Sequence, residues 1–194
     1  MDEVSVSWQE VEDLKAQVVV ISAAGGTFST GVDVADHAVG RIEGMLEKFH
    51  QFVLNIRNSD CITIAAIQGH TLGGGAELAM MCDLIIAADD ARIGLPEISL
   101  GCYPPVAAAH LPGAIGFHKA SEMVLLGEPM SAVEAERLGL VNKVVSRSSL
   151  DETVDAWVDK LMAKSGVVLG LAKRALREGI GHHLEGALSK SEEL

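Results

Sequence analysis

Apolar residues along this chain fall into two patterns: short continuous runs, and longer stretches in which they recur at helical spacing. The continuous runs lie at residues 17–22, 62–67 and 84–88. They are rich in β-branched residues or alanine and end at glycine or polar residues, which is typical of strands buried on both faces of a sheet. Shorter runs at 92–95 and 141–145 predict two further brief strands.

Helices are predicted between and after these strands. The clearest amphipathic helix covers residues 41–56, and a weaker one covers 5–14. From Pro104 onwards the pattern is mainly helical, with helices predicted at 106–111, around 121–126, and at 132–138, 151–163 and 169–178. Strands separated by crossovers of this length favour an α/β fold with a parallel or mostly parallel sheet and helices packed on it.

One of these helices carries signals at both ends. Ser131 is a predicted N-cap, with Glu134 three residues later as its capping-box partner, and Gly139 is the predicted stop. The helix between them therefore has well-defined expected boundaries.

A glycine turn follows the run at 62–67. Three consecutive glycines, residues 73–75, precede a segment rich in Ala, Leu and Met that favours helix. Such a turn lets backbone N–H groups approach a ligand, and the positive end of the helix dipole points the same way. The sequence therefore predicts a site that stabilises negative charge. Two carboxylates lie near it: Glu77, one turn into the helix, and Glu97.

Composition limits the class of protein. With 194 residues and 48 % hydrophobic content, the chain is long enough for one sizeable core, so a single domain is expected. The net charge of −12 argues against nucleic acid or an anionic membrane surface as a partner. No apolar run approaches the ~20 residues of a membrane span, and the acidic N-terminus is unlike a signal peptide.

Several common kinds of site are poorly supported. The three cysteines have no CxxC spacing, so no metal site or disulfide framework is expected, and a reducing cytoplasm fits best. The dinucleotide-binding motif GxGxxG is not matched, because Leu78 stands where the third glycine would fall. The serine-hydrolase motif GxSxG, the phosphate-loop ending GK[ST] and the zinc motif HExxH are absent from the sequence. The seven scattered histidines are interpreted as surface or helix-end residues.

After these exclusions, the candidate site consists of two glycine-bearing loops that follow buried strands. Two carboxylates lie near the second loop. Backbone N–H groups converging from two loops form an oxyanion hole, which suits reactions that build negative charge on a carbonyl oxygen. Two carboxylates beside it can divide proton donation and water activation. These residues favour enolate chemistry on a carbonyl compound. A buried Glu near a glycine turn can equally be a helix cap or an ion-pair partner, and that alternative stays open here.

The motifs closely resemble those of the enoyl-CoA hydratase/isomerase (crotonase) superfamily. The resemblance covers roughly residues 17–178. It is carried by residues 27–33 (TFSTGVD), 68–83 (QGHTLGGGAELAMMCD), 95–101 (LPEISLG) and 130–145 (MSAVEAERLGLVNKVV). It implies a crotonase-like ββα spiral over residues 1–145 and a helical C-terminal region over 146–194. It also implies an acyl-CoA thioester substrate, no separate cofactor, and a homotrimer or dimer of trimers.

The resemblance also implies roles for individual residues. The N–H groups of Val32 and Gly74 would hold the thioester oxygen. Glu77 would orient and deprotonate water, and Glu97 would supply the α-proton. The remaining residues implied to contact the substrate or its CoA portion are Thr30, Gly31, Asp33, Val34, Gly73, Tyr103 and Pro105. Possession of both acids favours a hydratase.

The chain departs from common hydratases after Glu97, where Tyr103, Pro104 and Pro105 replace part of a Pro-Gly-x-Gly-Gly type segment. Pro105 has no N–H to offer and fixes a helix start. The segment resembles that of cyclohexa-1,5-diene-1-carbonyl-CoA hydratases and predicts a reshaped acyl pocket for a cyclic group. Family members also usually have strands before this chain's start and a helical segment after Leu194. Their absence from the sequence predicts an exposed sheet edge and a reduced CoA groove.

Other activities stay open at this stage. A crotonase-like isomerase, hydrolase or decarboxylase would use the same oxyanion hole and differ in which acid matters. A subunit that binds CoA esters without turnover is a further alternative.

Overall fold

The computed structural model of the chain describes residues 2–31 and 42–180. The helices in these ranges are α1 (Asp2–Asp13), α2 (Ile42–Asn58), α3 (Gly74–Met81), α4 (Pro105–Ile115), α5 (Phe117–Leu126), α6 (Ala132–Arg137), α7 (Leu150–Met162) and α8 (Gly166–Ile180). The strands are β1 (Val18–Ile21), β2 (Ile62–Ile67), β3 (His70–Leu72), β4 (Leu84–Ala88), β5 (Arg92–Gly94), β6 (Met130–Ser131) and β7 (Lys143–Val145). Two short 3-10 segments cover Pro96–Leu100 and Arg147–Ser149.

The larger sheet is parallel throughout, as predicted. Its order is β1-β2-β4-β7, with Val19 opposite Thr63, Ala65 opposite Ile85 and Ala87 opposite Val144. All four strands therefore end at the same edge of the sheet. Loops that follow the carboxyl ends of parallel strands meet at that edge, which is where open α/β sheets bind ligands.

A smaller sheet stands beside this edge. Its strands are β3 and β5, which are parallel, and β6, which is antiparallel to β5. Ser29, in the loop after β1, forms a further parallel bridge to Thr71 of β3. The small sheet thus attaches the first loop to the segment that leads into the glycine turn.

Both faces of β2 are covered, which explains its continuous apolar sequence. Ala65 and Ile67 pack into the main core with residues of α2, α3 and α4. Ile64 and Ala66 pack on the opposite face against Leu150 and other residues of α7. The expectation of a strand buried on both faces is confirmed for β2.

Two expectations about burial are wrong. β1 is the outer strand of the larger sheet among the described residues, and Val20 is 38 % exposed because its face is only partly covered. His50, interpreted from the sequence as a surface or helix-end residue, is only 4 % exposed because it lies on the side of α2 that packs inward.

Helix boundaries mostly agree with the predicted ones. The N–H of Glu134 donates to Ser131 Oγ at 3.2 Å, so Ser131 caps α6, and Gly139 has a positive φ of 82° just beyond its end. The Glu134 carboxylate pairs with Lys119 Nζ at 2.8 Å. Helix α4 extends past the predicted end at residue 111 and includes Pro112. No helix within the described ranges is long and apolar enough to cross a membrane.

Candidate active site

The glycine turn forms between β3 and α3. Gly73 adopts φ +55°, in the left-handed region that favours glycine, and is the N-cap of α3. Its N–H donates to Gly94 O at 2.9 Å, and its carbonyl accepts from the N–H of Glu77 at 3.0 Å. Gly74 is the first residue of α3, so its N–H is one of the first N–H groups of the helix, which have no acceptor within the helix. The predicted strand, turn and helix start are present, with the short β3 added.

The loop after β1 reaches this turn. The N–H of Leu72 donates to Ser29 O at 2.9 Å, and the N–H of Ser29 donates to His70 O at 3.1 Å. At Gly31, with φ +98°, an added Cβ would lie 3.5 Å from Gly74 N. The two glycine-bearing loops therefore converge. The predicted roles of Val32, Asp33 and Val34 fall on residues outside the described ranges, and exposed Thr30 directly precedes Gly31.

Glu77 lies on α3 and is only 3 % exposed. Its Oε1 accepts a hydrogen bond from the N–H of Ala107 at 2.9 Å. Burial raises the pKa of Glu77 to about 8; the N–H groups of Ala107 and Val106 oppose this rise, and the charge of Glu97 adds to it. Glu77 therefore holds a proton at neutral pH and titrates just above it.

Glu97 lies in the 3-10 segment after β5 and is half-buried. A Cβ added to Gly73 would lie 2.9 Å from Glu97 Oε1, so this carboxylate adjoins the glycine turn. Because the Gly73 carbonyl accepts a hydrogen bond from the N–H of Glu77, both acids adjoin this turn, and the charge of Glu97 contributes to the raised pKa of Glu77. The structure thus brings together Glu77, Glu97, Gly73, Gly74 and Gly31. Their roles in catalysis and binding remain predictions.

The segment after Glu97 supplies backbone groups that contact Glu77. Pro105 is buried and begins α4, which places the N–H groups of Val106 and Ala107 against Glu77. Tyr103 is 38 % exposed. Sequence reasoning missed Ala107, because it acts through a backbone donor and its side chain carries no chemical signal.

Cys102 also lies at the site and was not predicted there. Its N–H and its Sγ both donate to Glu97 O, at 3.3 Å and 3.5 Å. Burial and the charges of Glu97 and Glu77 raise the pKa of the Cys102 thiol. The thiol is therefore protonated at neutral pH and is a poor nucleophile, since the thiolate is the reactive form.

Two other kinds of candidate site are a metal centre and a second groove. Across residues 2–31 and 42–180 no group of three or more His, Cys, Asp and Glu could hold a metal ion. A groove of about 700 Å³ lies between α1 and the start of α8, at the opposite edge of the larger sheet. None of the predicted site residues that the structure describes lines this groove.

Known proteins resemble the whole chain. A model of the enoyl-CoA hydratase/isomerase family matches residues 1–194. A probable enoyl-CoA hydratase of Rhizobium meliloti is 35 % identical over 170 residues, which are 87 % of this chain and 66 % of that protein. Probable enoyl-CoA hydratase echA8 of Mycobacterium bovis is 35 % identical over 191 residues, 97 % of this chain and 74 % of that protein.

A solved structure shows the same architecture. The enoyl-CoA hydratase from Bacillus anthracis has a TM-score of 0.88 and 29 % identity, with 99 % of this chain and 78 % of that chain covered. The predicted crotonase-like α/β fold is confirmed. The family model matches the full sequence, a relative is 35 % identical over 97 % of the chain, and the fold is shared with a solved structure. The chain therefore belongs to the enoyl-CoA hydratase/isomerase family.

Proposed function

We propose that this chain is an acyl-CoA hydratase that adds water reversibly to an α,β-unsaturated CoA thioester. The observation that carries the proposal is the pairing of Glu77 and Glu97 beside the turn at Gly73 and Gly74, against which Gly31 packs. Both relatives described above are probable enoyl-CoA hydratases, which supports the same reaction class. The chain spans 66 % and 74 % of those two relatives, so their activities are attributed to it only as a proposal.

The oxyanion hole lowers the barrier to addition. Attack of water at the β-carbon pushes an electron pair through the conjugated system onto the thioester oxygen, which gives an enolate. In this proposal the N–H groups of Gly74 and Val32 donate to that oxygen, and the dipole of α3 points towards it. One such donor is worth on the order of 3 kcal/mol in the transition state.

The two acids handle the protons. At neutral pH the pair carries one proton, because Glu77 is protonated beside the charge of Glu97. Hydration requires that proton on Glu97, where it is delivered to the α-carbon, while Glu77 as carboxylate takes a proton from the attacking water. The charge of Glu97 contributes to the raised pKa of Glu77, so the two titrations are linked, and in this proposal the one proton can occupy either carboxyl group. The water oxygen ends on the β-carbon and the pair regains one proton.

The remaining elements of the proposal concern binding and assembly. Backbone around Thr30 to Val34 lines the CoA groove, and the segment with Tyr103 and Pro105 bounds the acyl group. Because this segment resembles that of cyclohexa-1,5-diene-1-carbonyl-CoA hydratases, we propose a cyclic dienoyl group as the preferred acyl portion. The proposed enzyme needs no separate cofactor, assembles as a homotrimer or dimer of trimers, and acts in the cytoplasm.

The test is turnover on a panel of thioesters. Purified protein is incubated with crotonyl-CoA and with cyclohexa-1,5-diene-1-carbonyl-CoA, and the absorbance of the conjugated thioester is followed. A hydratase loses this absorbance reversibly, and a faster rate on the cyclic substrate supports the proposed acyl preference. Release of free CoA or of CO₂ instead would replace the proposal with a hydrolase or decarboxylase. Tight binding without turnover would indicate a CoA-ester-binding subunit.

A further inference from the structure

We propose that Arg147 is a positioning residue for the active site. It lies just beyond β7, at the sheet edge where the loops of the site meet, and together with Asp90 it holds three turns in place. The inference rests on the proposed function, because the parts it positions are the oxyanion-hole loops and Glu97.

The guanidinium of Arg147 binds the first loop. Its Nη2 donates to Gly25 O at 2.6 Å, and its Nη1 donates to Gly26 O at 3.3 Å. These carbonyls are more than 120 residues away in the sequence. The loop leads from Gly25 and Gly26 to Gly31, which packs on Gly74.

The same guanidinium binds the turn between β4 and β5. Its Nη1 donates to Asp90 Oδ2 at 2.7 Å. Partial burial raises the pKa of Asp90, but the hydrogen bonds from Arg147 and from the N–H of Gly69 outweigh it, so the pKa lies below its usual range. Asp90 is therefore charged at neutral pH. From this turn the chain runs through β5 to Glu97.

The third turn lies between β2 and β3, and Asp90 connects it to Arg147. The N–H of Gly69, between β2 and β3, donates to Asp90 Oδ1 at 3.3 Å. A Cβ at Gly69 would lie only 2.0 Å from Gly26 O, so this turn and the first loop are in direct contact. Gln68 adds amide hydrogen bonds to the carbonyls of Ala23 and Gly25, at 2.8 Å and 3.0 Å. From Gly69 the chain continues through β3 to Gly74.

The three turns lead to three parts of the proposed site. Gly31 lies five residues after Gly26, Gly74 lies five residues after Gly69, and Glu97 lies seven residues after Asp90. Arg147 is exposed, and an exposed ion pair contributes little to global stability. Its fork of donors to two carbonyls and a carboxylate instead fixes relative geometry, and sub-ångström changes in such geometry affect rate more than binding.

The test compares Arg147→Ala with a matched control, Arg174→Ala. Arg174 forms the exposed pair with Asp60 at 3.5 Å, far from the site. On the full chain, kcat for the best thioester should fall about ten-fold in Arg147→Ala with little change in KM, since oxyanion donors act mainly in the transition state. Arg174→Ala should match wild type, and Arg147→Lys should recover part of the rate.

Two further readouts separate positioning from general damage. A chromophoric thioester, 4-(dimethylamino)cinnamoyl-CoA, shifts its absorbance to longer wavelength when its carbonyl is polarised, and this shift should shrink in Arg147→Ala. Amide hydrogen exchange of residues 23–31 should quicken in Arg147→Ala and in Asp90→Asn, but not in Arg174→Ala. The two substitutions at Arg147 and Asp90 should be non-additive in kcat.

The outcomes are distinct. Wild-type kcat, an unchanged spectral shift and unchanged exchange in Arg147→Ala overturn the positioning role, whatever the reaction. A wild-type protein with neither turnover nor spectral shift overturns the proposed function instead, and faster exchange in Arg147→Ala would still support the mechanical role of Arg147. If Arg147→Ala does not fold, Arg147→Lys and Asp90→Asn carry the same comparisons.

Discussion

Glu77 Oε1 accepts a hydrogen bond from the N–H of Ala107 at 2.9 Å, and this contact joins α3 to the first turn of α4 across thirty residues. It places a carboxyl group where burial disfavours its charge and a backbone donor favours it. Burial prevails, so the pKa is raised to about 8. Because Glu97 adds to this rise, the protonation of the two acids is linked, and two pH-dependent properties follow.

The first property is the pH dependence of the reaction. Hydration requires one proton on the pair, and that proton leaves as pH rises through about 8. We expect kcat/KM of the free enzyme to fall above that pH, because no acid remains for the α-carbon. Initial rates at low substrate concentration between pH 6 and 10 measure this. A kcat/KM that instead rises with unit slope through the same range would mean that ionised Glu77 alone is needed.

The second property is stability. Glu77 has a pKa of about 8 in the folded chain against an ordinary value of 4.5, so between these values the folded state binds a proton that the unfolded state lacks. The free energy of unfolding must then decrease as pH rises, by up to about 1.4 kcal/mol per pH unit from this group. Urea unfolding at pH 5.5, 6.5 and 7.5 tests this against Glu77→Gln, which should lack that part of the slope. Equal slopes in both proteins would contradict the raised pKa.

Gly73 offers a test of the turn itself. An alanine there would hold φ +55° and ψ −133°, outside the left-handed helical region, at a cost of about 1–3 kcal/mol in stability, and its Cβ would push the Glu97 carboxylate away. We expect Gly73→Ala to fold but to lose about 100-fold in kcat, because an acid displaced by an ångström delivers its proton poorly.

Gly113→Ala is the matched control for this substitution. Gly113 is exposed in α4, and an added Cβ would meet nothing within 4 Å. It should raise stability by about 0.5–1 kcal/mol and leave kcat unchanged. If the two variants had the same kcat, the turn would have no special role in the reaction.

A buried lysine connects α8 to the core. Lys173 Nζ lies 2.7 Å from Asp83 Oδ2 and also donates to the carbonyls of Cys61 and Ile56. Asp83 Oδ2 accepts further hydrogen bonds from the N–H and hydroxyl of Thr63. Removing the cation leaves a partly buried carboxylate without its charge partner.

We therefore expect Lys173→Met to lower the free energy of unfolding by about 3–5 kcal/mol, and a double variant with Asp83→Asn to regain part of this loss. The exposed neighbour Arg174→Met should change it by less than about 0.5 kcal/mol. Urea unfolding measures all three. A loss no larger in Lys173→Met than in Arg174→Met would show that the pair is not a structural anchor.

The sequence predicted what depends on local pattern. The buried run at 62–67, the turn at Gly73 and the cap at Ser131 each follow from residue type and spacing, and each is present. Glu77 and Glu97 stand out in the sequence as carboxylates near a glycine turn. Their placement in one site could be expected from the resemblance, but not from their separation in sequence.

Other features depend on tertiary contacts that leave no local pattern. Ala107 contributes only a backbone N–H, and Arg147 binds carbonyls in a loop more than 120 residues before it. The exposure of Val20 depends on which strand lies at the edge of the sheet, and the burial of His50 on which face of α2 meets the core. None of these can be deduced from composition or periodicity.

The most direct test of the central claim is hydration of an enoyl-CoA by wild type, Glu77→Gln and Glu97→Gln, measured as reversible loss of the conjugated-thioester absorbance. Each amide keeps the size of the side chain but cannot exchange the required proton. We expect turnover in the wild type and a loss of about 100- to 10,000-fold in kcat in each variant, with the Kd for an unreactive acyl-CoA nearly unchanged. Hydration at the wild-type rate by either variant would contradict the two-acid mechanism.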